Sequence, residues 1–457
     1  IPVFTGPAGP GTTMVPGFVN NFDSSLLNEP QIERHYYNVL AMQKSVGNLD
    51  LQLSYFSRYS SVNFIPDTIG DLAFNGIASN VFRSSFLNGV QGDAAYRLDD
   101  SHTLRSGFIF SGEQSQVTSS NVVFQTDSMG NPLDITANPP PTIVDATGKL
   151  GWLAGLYVQD EWKITSQLTM NIGLRFDQMD QFVDANQFSP RLSLVYKPFD
   201  GTTFHGGYSR NFTPPSQVIA TPTNIALFTN TSAQSAVSQN EPVLPERSDV
   251  YDVGVVQRIV PGLELGVDAY YKVARDLLDD GQFGQAYVLD GFNYARGVNK
   301  GLEFKLTYTS GGFRAYGNLA WAEQMATTVV SNQFLFAPDE LAYIANNWIY
   351  TDHSQTVSAS AGVSWLWQGT RCSADMIYGS GLRSGFANTD HVPAYTQFNT
   401  GISRELRIAD GKSLTVRFDV VNVFDTIYEI RDGSGIGVFA PQYGPRRGFF
   451  IGLSQKL

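Results

Sequence analysis

The feature that most constrains this chain is the strict alternation of apolar and polar side chains along residues 150–176. Leu156 and Trp162 lie on the apolar parity of a first run, and Leu168 and Phe176 lie on the apolar parity of a second. Successive side chains of an extended backbone point to opposite faces, so this period of two predicts two strands joined by a tight turn. An apolar face ending in aromatic residues, opposite a charged and glycine-rich face, is typical of a strand between lipid and water.

The same alternation recurs to the end of the chain, which predicts a repeating series of hairpins. It is visible in the segments 192–196, 263–273, 302–308, 357–367, 414–420 and 449–453. Tight turns rich in Gly, Asn, Asp and Pro are expected at 47–48, 99–101, 165–166, 198–201, 261–262, 310–311, 368–370 and 409–411. We therefore predict an all-β fold, a transmembrane antiparallel β-barrel with about 17 readable strands.

The composition agrees with a wall that faces lipid. Only 16% of the 457 residues are charged while 42% are hydrophobic, whereas soluble domains carry about 25% charged residues. A charge facing the bilayer midplane costs roughly 2–4 kcal/mol, which explains the deficit. No apolar run approaches the roughly 20 residues of a spanning helix, so strands are the remaining way to cross. The net charge of −12 argues against a nucleic-acid partner.

Short turns alternate with long polar segments, and this asymmetry predicts an orientation. Outer-membrane barrels have short periplasmic turns and longer extracellular loops. Such barrels have even strand numbers. With an odd count and the short turns in the periplasm, the first strand, near 32–46, runs from the outside inward. We therefore expect at least one further strand upstream. Residues 1–30 are then expected to be the tail of an extracellular loop, and residues 31–457 the barrel domain.

Seven segments in order resemble the TonB-dependent outer-membrane receptor family. They are GLYVQDEWKIT (155–165), LTMNIGLRFD (168–177), FSPRLSLVY (188–196), GYSRNFTPP (207–215), PERSDVYDVGV (245–255), the segment 297–304 and VNVFDTIY (421–428). The resemblance implies a barrel of about 22 strands whose lumen holds an N-terminal plug. This sequence matches the later strands, and we expect the plug, its TonB box and about five strands to lie outside it. Leu457 departs from the aromatic residue with which such barrels commonly end.

The resemblance also implies a function and a location. A scarce, unidentified small solute would bind at the extracellular loops and be imported into the periplasm across the outer membrane of a Gram-negative bacterium. Energy would reach the protein's own plug through TonB–ExbB–ExbD, and outer-membrane lipid would surround the wall. No cofactor is implied. Two alternatives stay open, namely a plugless passive channel and a structural or surface-assembly barrel.

Two sets of side chains are candidates for solute or plug contact. Aromatic residues of the long segments can stack on a ligand, although they can also pack the loops together; they are Phe334, Phe336, Tyr343, Trp348, Tyr350, Tyr287 and Tyr294. Charges of lumen parity can face a plug or a passing solute, although ion pairing inside a wet barrel accounts for them as well. They are Arg175, Arg191, Arg258, Arg314, Arg417 and Glu303.

The sequence indicates neither a catalytic nor a metal site, so no enzyme is predicted. The five histidines are scattered without metal-ligand spacing. His205 and Ser209 share a lumen-facing parity, but no carboxylate that could orient a base is evident. Asp276, Asp279 and Asp280 could bind a cation, and we favour a solvated acidic loop.

Overall fold

Seventeen long strands make up most of the molecule. The structure, a computed structural model, describes residues 5–6, 15–18, 22–282, 289–408, 412–437 and 441–456. The expected turn at 409–411, the candidate Tyr287 and the terminal Leu457 lie outside these residues.

The strands are numbered β1 to β17 in chain order. Their bounds are β1 Gln31–Val46, β2 Leu49–Phe64, β3 Ile77–Arg97, β4 His102–Val123, β5 Thr142–Lys163, β6 Leu168–Asp180, β7 Asp184–Tyr196, β8 Thr202–Thr213, β9 Glu246–Val260, β10 Leu263–Gly281, β11 Asp290–Ser310, β12 Phe313–Val329, β13 Val357–Trp367, β14 Thr370–Gly379, β15 Tyr395–Arg407, β16 Ser413–Val421 and β17 Gly448–Lys456.

Each strand pairs antiparallel with the next one in the chain. Leu156 of β5 lies opposite Phe176 of β6, for example, so the two apolar parities of the opening pattern share one face. The described hairpins turn at the Gly-, Asn- and Pro-containing positions that the sequence predicted, such as Gly47 and Gly262, which both adopt positive φ. The predicted antiparallel barrel and its strand count are confirmed.

The outer face of the wall is apolar and exposed, as a lipid-facing surface must be. Ile172 and Leu174 of β6 are 49% and 44% exposed. Others on this belt are Phe108, Phe110, Val158, Leu192, Leu194, Val253, Leu302, Phe304, Leu319, Val363 and Trp365. The largest fully buried side chains, including Phe64, Phe228 and Tyr294, lie instead toward the end of the wall that carries the long segments. The molecule is therefore packed most densely at its long-loop end.

Several strands continue well beyond the roughly 9–11 residues that cross a bilayer. β4 and β5 have 22 residues each, so the residues farthest from their short turn stand above the lipid. The long segments also carry two α-helices among the described residues, α1 Thr68–Asn75 and α2 Pro338–Asn346. The Asp67 carboxylate caps α1 by accepting from the Gly70 N–H. Neither described helix is both long and apolar enough to span a membrane.

Short strand pairs and 3₁₀ turns complete the long-loop end. The pairs are Thr5–Gly6 with Phe22–Asp23, Arg383–Ser384 with Asp390–His391, and Glu429–Asp432 with Pro441–Tyr443, while Ile349–Tyr350 pairs with β12. The 3₁₀ turns are Ser24–Leu26, Ile225–Phe228, Gln333–Leu335 and Phe386–Asn388. These elements place polar and aromatic side chains over the mouth of the barrel.

The wall has a seam between its first and last strands. β1 and β17 are neighbours in the strand order. The seventeen strands close into a barrel at this junction, where β1 and β17 are hydrogen-bonded neighbours. Side chains on both strands are exposed, with Val39 71% and Ile451 77% accessible.

Candidate functional site

Residues 214–245, which connect β8 to β9, fold into the mouth of the barrel, and we call them the inward segment. Gln217 anchors one end: its side-chain amide donates to the Ser115 Oγ at 2.8 Å and to the Lys149 carbonyl at 2.7 Å. The Gln217 side chain is fully buried and lies against Gly151, where a Cβ would overlap it. The amide therefore ties the inward segment to the lumen face of β4 and β5.

The inward segment also reaches the opposite part of the wall. The Gly291 N–H of β11 donates to the Ile219 carbonyl at 3.1 Å. The Leu244 N–H donates to the Asn293 Oδ1 at 2.8 Å, and Asn293 is completely buried. Because β4 and β11 lie far apart in the strand order, these contacts carry the segment across the lumen.

A third set of contacts fixes the middle of the inward segment. Phe228 packs with Ile77 and Val123, and all three are nearly inaccessible to solvent. The Ser232 hydroxyl accepts from the Phe124 N–H at 3.0 Å and donates to the Gly76 carbonyl. The segment is thus held by backbone and side-chain bonds on several sides, as a packed element rather than a free loop.

A buried ion pair lies beside this segment. Arg83 of β3 places its Nη2 2.5 Å from the Asp290 Oδ1 and also donates to the Leu289 carbonyl. The two side chains are only 10% and 7% exposed. Burial raises the pKa of the Asp290 carboxyl above its ordinary value, while the Arg83 guanidinium opposes that rise. Asp290 begins β11 at the end farthest from its short turn, outside the part that crosses the bilayer.

The ion pair borders a small cavity of about 50 Å³ that is lined mainly by polar residues. Ser79, Ser119, Asn121, Asp145 and Thr223 are among its lining residues. The Ser79 hydroxyl and the Arg83 Nε are buried and have no hydrogen-bond partner within the described part of the chain. Two donors without acceptors suit a polar solute or ordered water, because buried polar groups are normally satisfied.

The predicted aromatic residues mostly pack against one another. Phe336 and Tyr294 join one buried cluster, in which Phe292 contacts both rings at centroid distances of 4.9 and 5.0 Å. Phe334 is buried and Tyr343 packs on the cluster's edge. Solute contact by these residues stays a prediction.

Two further aromatic candidates lie nearer to solvent. Trp348 is 45% exposed. Tyr350 lies beneath the Arg383 guanidinium, 3.5 Å from its ring centroid, an arrangement that stabilises both groups. Trp348 is therefore the aromatic candidate with the largest free surface among those described.

The predicted lumen charges are spread along the wall rather than gathered at one point. Arg175 pairs with Asp177 at 2.6 Å and Arg417 with Asp419 at 2.6 Å, in both cases two residues further along the same strand. Arg258 approaches Asp200 beside a short turn. The other three, Arg191, Arg314 and Glu303, lie on β7, β12 and β11. Their contact with a plug or a solute stays a prediction.

The sequence did not predict one pair of polar side chains on the lumen face. The His205 Nε2 lies 2.6 Å from the Asp268 Oδ1, although no carboxylate partner was evident from sequence. Gly254 stands between them in the register, opposite both residues on its two neighbouring strands. A Cβ at Gly254 would overlap both side chains, so the glycine makes room for the pair. The strand register, once known, identifies this pair.

Comparisons with known proteins agree with this architecture. A family model described as "TonB dependent receptor-like, beta-barrel" matches residues 4–423. No curated protein matches the chain by sequence.

Solved structures with a similar fold include siderophore and ferric-chelate receptors and a copper transporter. The siderophore receptor PiuA from Acinetobacter baumannii is 12% identical with a TM-score of 0.67, and the match covers 93% of this chain and 65% of PiuA. The ferric citrate transporter FecA is 14% identical with a TM-score of 0.64, covering 93% and 62%. The ferric yersiniabactin uptake receptor FyuA from Yersinia pestis is 12% identical with a TM-score of 0.66, covering 93% and 62%. The chain thus spans less than two thirds of the length of these three proteins.

Proposed function

The chain belongs to the TonB-dependent receptor β-barrel family, and from that premise we propose that it forms the wall and outer mouth of an energised solute importer. Barrels of this family lie in the Gram-negative outer membrane and are receptors rather than enzymes. We place the long segments on the extracellular side, because outer-membrane barrels keep their short turns in the periplasm.

The observation that carries this proposal is the inward segment. It crosses the lumen between β4 and β11 and leaves a polar cavity beside the Arg83–Asp290 pair. A mouth filled by packed chain suits capture of a particular solute followed by a conformational change, whereas a passive channel needs a continuous aqueous path. We therefore propose that the solute binds at the extracellular loops and contacts this cavity.

We further propose that the full-length barrel has additional strands between β1 and β17 and that an N-terminal plug occupies the lumen. The support is the greater length of the similar structures, of which this chain covers 65% and 62%. Through that plug the protein would be driven by TonB–ExbB–ExbD. FecA is a ferric citrate transporter and FyuA a ferric yersiniabactin uptake receptor, so ferric chelates are the first solutes to test.

The test uses the full-length protein in its own membrane. Uptake of radiolabelled iron from a panel of ferric chelates should require both this protein and a functional TonB. In planar bilayers the purified full-length protein should show little or no steady conductance. A steady conductance together with TonB-independent uptake would support the passive channel and contradict the proposal.

A further inference from the structure

Three potential metal ligands meet at the long-loop end of the barrel. They are Asp279, near the end of β10, and Asp352 with His353, in the segment that precedes β13. One ligand atom from each lies within 4.8 Å of the other two. The His353 Nδ1 is 2.8 Å from the Asp352 Oδ1 and 3.6 Å from the Asp279 Oδ1.

The side chains are held in place before any ion arrives. The Asp279 and Asp352 side chains are only 8% and 11% exposed. Asp279 accepts from the Asp280 N–H, and Gln324 contacts the second ring nitrogen of His353 at 3.2 Å. This contact restrains the imidazole ring; when Nδ1 ligates an ion, Nε2 carries the proton and donates to the amide oxygen of Gln324 after the amide turns over. Preorganisation of this kind distinguishes the cluster from a solvated acidic loop.

The charges of the cluster are unbalanced. Asp279, Asp280 and Asp352 supply three carboxylates. The cations beside them are the Arg431 guanidinium, which pairs with Asp352, and the His353 imidazole when it is protonated. Buried carboxylates that exceed their cationic partners are costly unless they bind a cation.

An independent observation at the same place is the hydroxyl of Tyr294. This residue is completely buried, and its hydroxyl has no hydrogen-bond partner within the described part of the chain. In the register Leu277 lies opposite Tyr294 and Asp279 lies opposite Phe292. Tyr294 and Asp279 are therefore diagonal neighbours on one face of the sheet.

We propose that Asp279, Asp352 and His353 bind one divalent transition-metal ion, with the Tyr294 hydroxyl beside its ligands. Imidazole nitrogen with carboxylate oxygen is a ligand set that favours Zn²⁺ and related ions over Ca²⁺ or Mg²⁺, which take oxygen. Zinc bonds these atoms at about 2.0–2.2 Å, so the side chains must shift to admit the ion, and the 2.8 Å contact between the His353 Nδ1 and the Asp352 Oδ1 must open.

The ion would tie together parts of the mouth that are distant in sequence. Asp279 belongs to β10, whereas Asp352 is linked through Arg431 to the segment between β16 and β17. Sequence spacing could not show this site, because its ligands come from separate segments. The site does not depend on the proposed transport, since the ion is structural and its binding is measured without a transported solute.

The test measures Zn²⁺ binding to the full-length protein in detergent, with millimolar Ca²⁺ as competitor. The wild-type protein should bind one Zn²⁺ per chain, and D279N and H353Q should each weaken this binding at least tenfold. H391Q is the matched control, because His391 lies at the same end and the described bond of its imidazole is to the neighbouring Val392 carbonyl. It should bind like the wild type.

A second readout guards against a variant that merely misfolds. Zn²⁺ should raise the thermal unfolding temperature of wild type and H391Q but not of D279N. D279N is nearly isosteric and should keep the unfolding temperature of the metal-free wild type or exceed it. Equal Zn²⁺ affinity in D279N, H353Q and wild type, or no stoichiometric binding by folded wild type, would overturn the proposal.

Discussion

Arg83 on β3 and Asp290 at the start of β11 form a buried ion pair although 207 residues separate them in the sequence. The pair joins distant parts of the wall beneath the inward segment. It therefore links the closure of the mouth to two strands at once.

Breaking the ion pair on one side should be costly. R83Q leaves the Asp290 carboxylate buried without its counter-charge, and we expect the free energy of unfolding to fall by about 3–5 kcal/mol. Urea unfolding in lipid vesicles, followed by tryptophan fluorescence, measures the change.

The double variant R83Q/D290N removes the unpaired charge and should recover most of the loss. R258Q is the control, since its partner Asp200 is almost fully exposed, and it should change stability by less than about 1 kcal/mol. Additive losses in the double variant would contradict this explanation.

Removing the Gln217 amide should loosen the inward segment. Q217A removes the buried amide that donates to the Ser115 hydroxyl and to the Lys149 carbonyl, and leaves that carbonyl only the longer bond from the Ser115 hydroxyl, at about 1–3 kcal/mol. Hydrogen exchange across residues 214–245 should therefore be roughly 5- to 150-fold faster. Q167A, which loses a single bond at an exposed turn, should leave exchange in that segment unchanged. Wild-type exchange rates in Q217A would show that the segment is held elsewhere.

A methyl group at Gly254 should separate His205 from Asp268. The added Cβ would overlap both side chains, and overpacking of this kind costs about 1–3 kcal/mol. Gly266 provides the control on the neighbouring strand, because the nearest atom to its Cβ position is 3.7 Å away. G254A should lower the unfolding free energy measurably and G266A should not. Equal effects would mean that general loss of strand glycine, rather than the pair, matters.

Acid should leave the turn after β16 intact until the pH is very low. The Asp425 carboxylate is bonded by the Arg446 guanidinium and the Arg447 N–H, which hold its pKa well below the ordinary value. A depressed pKa in the folded protein contributes stability that is present above the unfolded-state pKa and is lost as pH falls through the folded-state pKa. The protection factors of residues 422–437 in hydrogen exchange, which correct for the intrinsic pH dependence of the exchange rate, should therefore be constant from pH 7 to pH 5 in the wild type. D425N should exchange faster throughout that range, and no difference from wild type would contradict the assignment.

The alternation rule could predict the wall because the environment of the wall alternates. Residues such as Leu174 and Arg175 meet lipid and water in turn, so their chemistry records the pleat of β6. The alternation stops where the strands extend beyond the lipid. Ser115 to Val123 of β4 continue as strand, although the apolar–polar alternation is lost there because both faces are polar or enclosed by protein. The alternation therefore ends before the strand does.

The contacts of the mouth could not be predicted for a related reason. Gln217, Arg83 and Asp290 lie in different segments, and their meeting depends on how the long connections fold inward. Likewise, the aromatic residues around Tyr294 and Phe336 were visible as a set, but their burial against each other depends on α2 and on neighbouring loops. Local pattern carries no information on such pairings.

Cysteine labelling with an impermeant reagent tests most directly whether the wall spans the membrane with its long segments outside the cell. In a C372S background, single cysteines replace Trp348 at the long-loop end and Phe199 at a short turn, both exposed side chains. In intact cells a membrane-impermeant maleimide should label W348C and leave F199C unlabelled until the outer membrane is permeabilised. Labelling of F199C but not W348C in intact cells, or of both equally, would contradict the account.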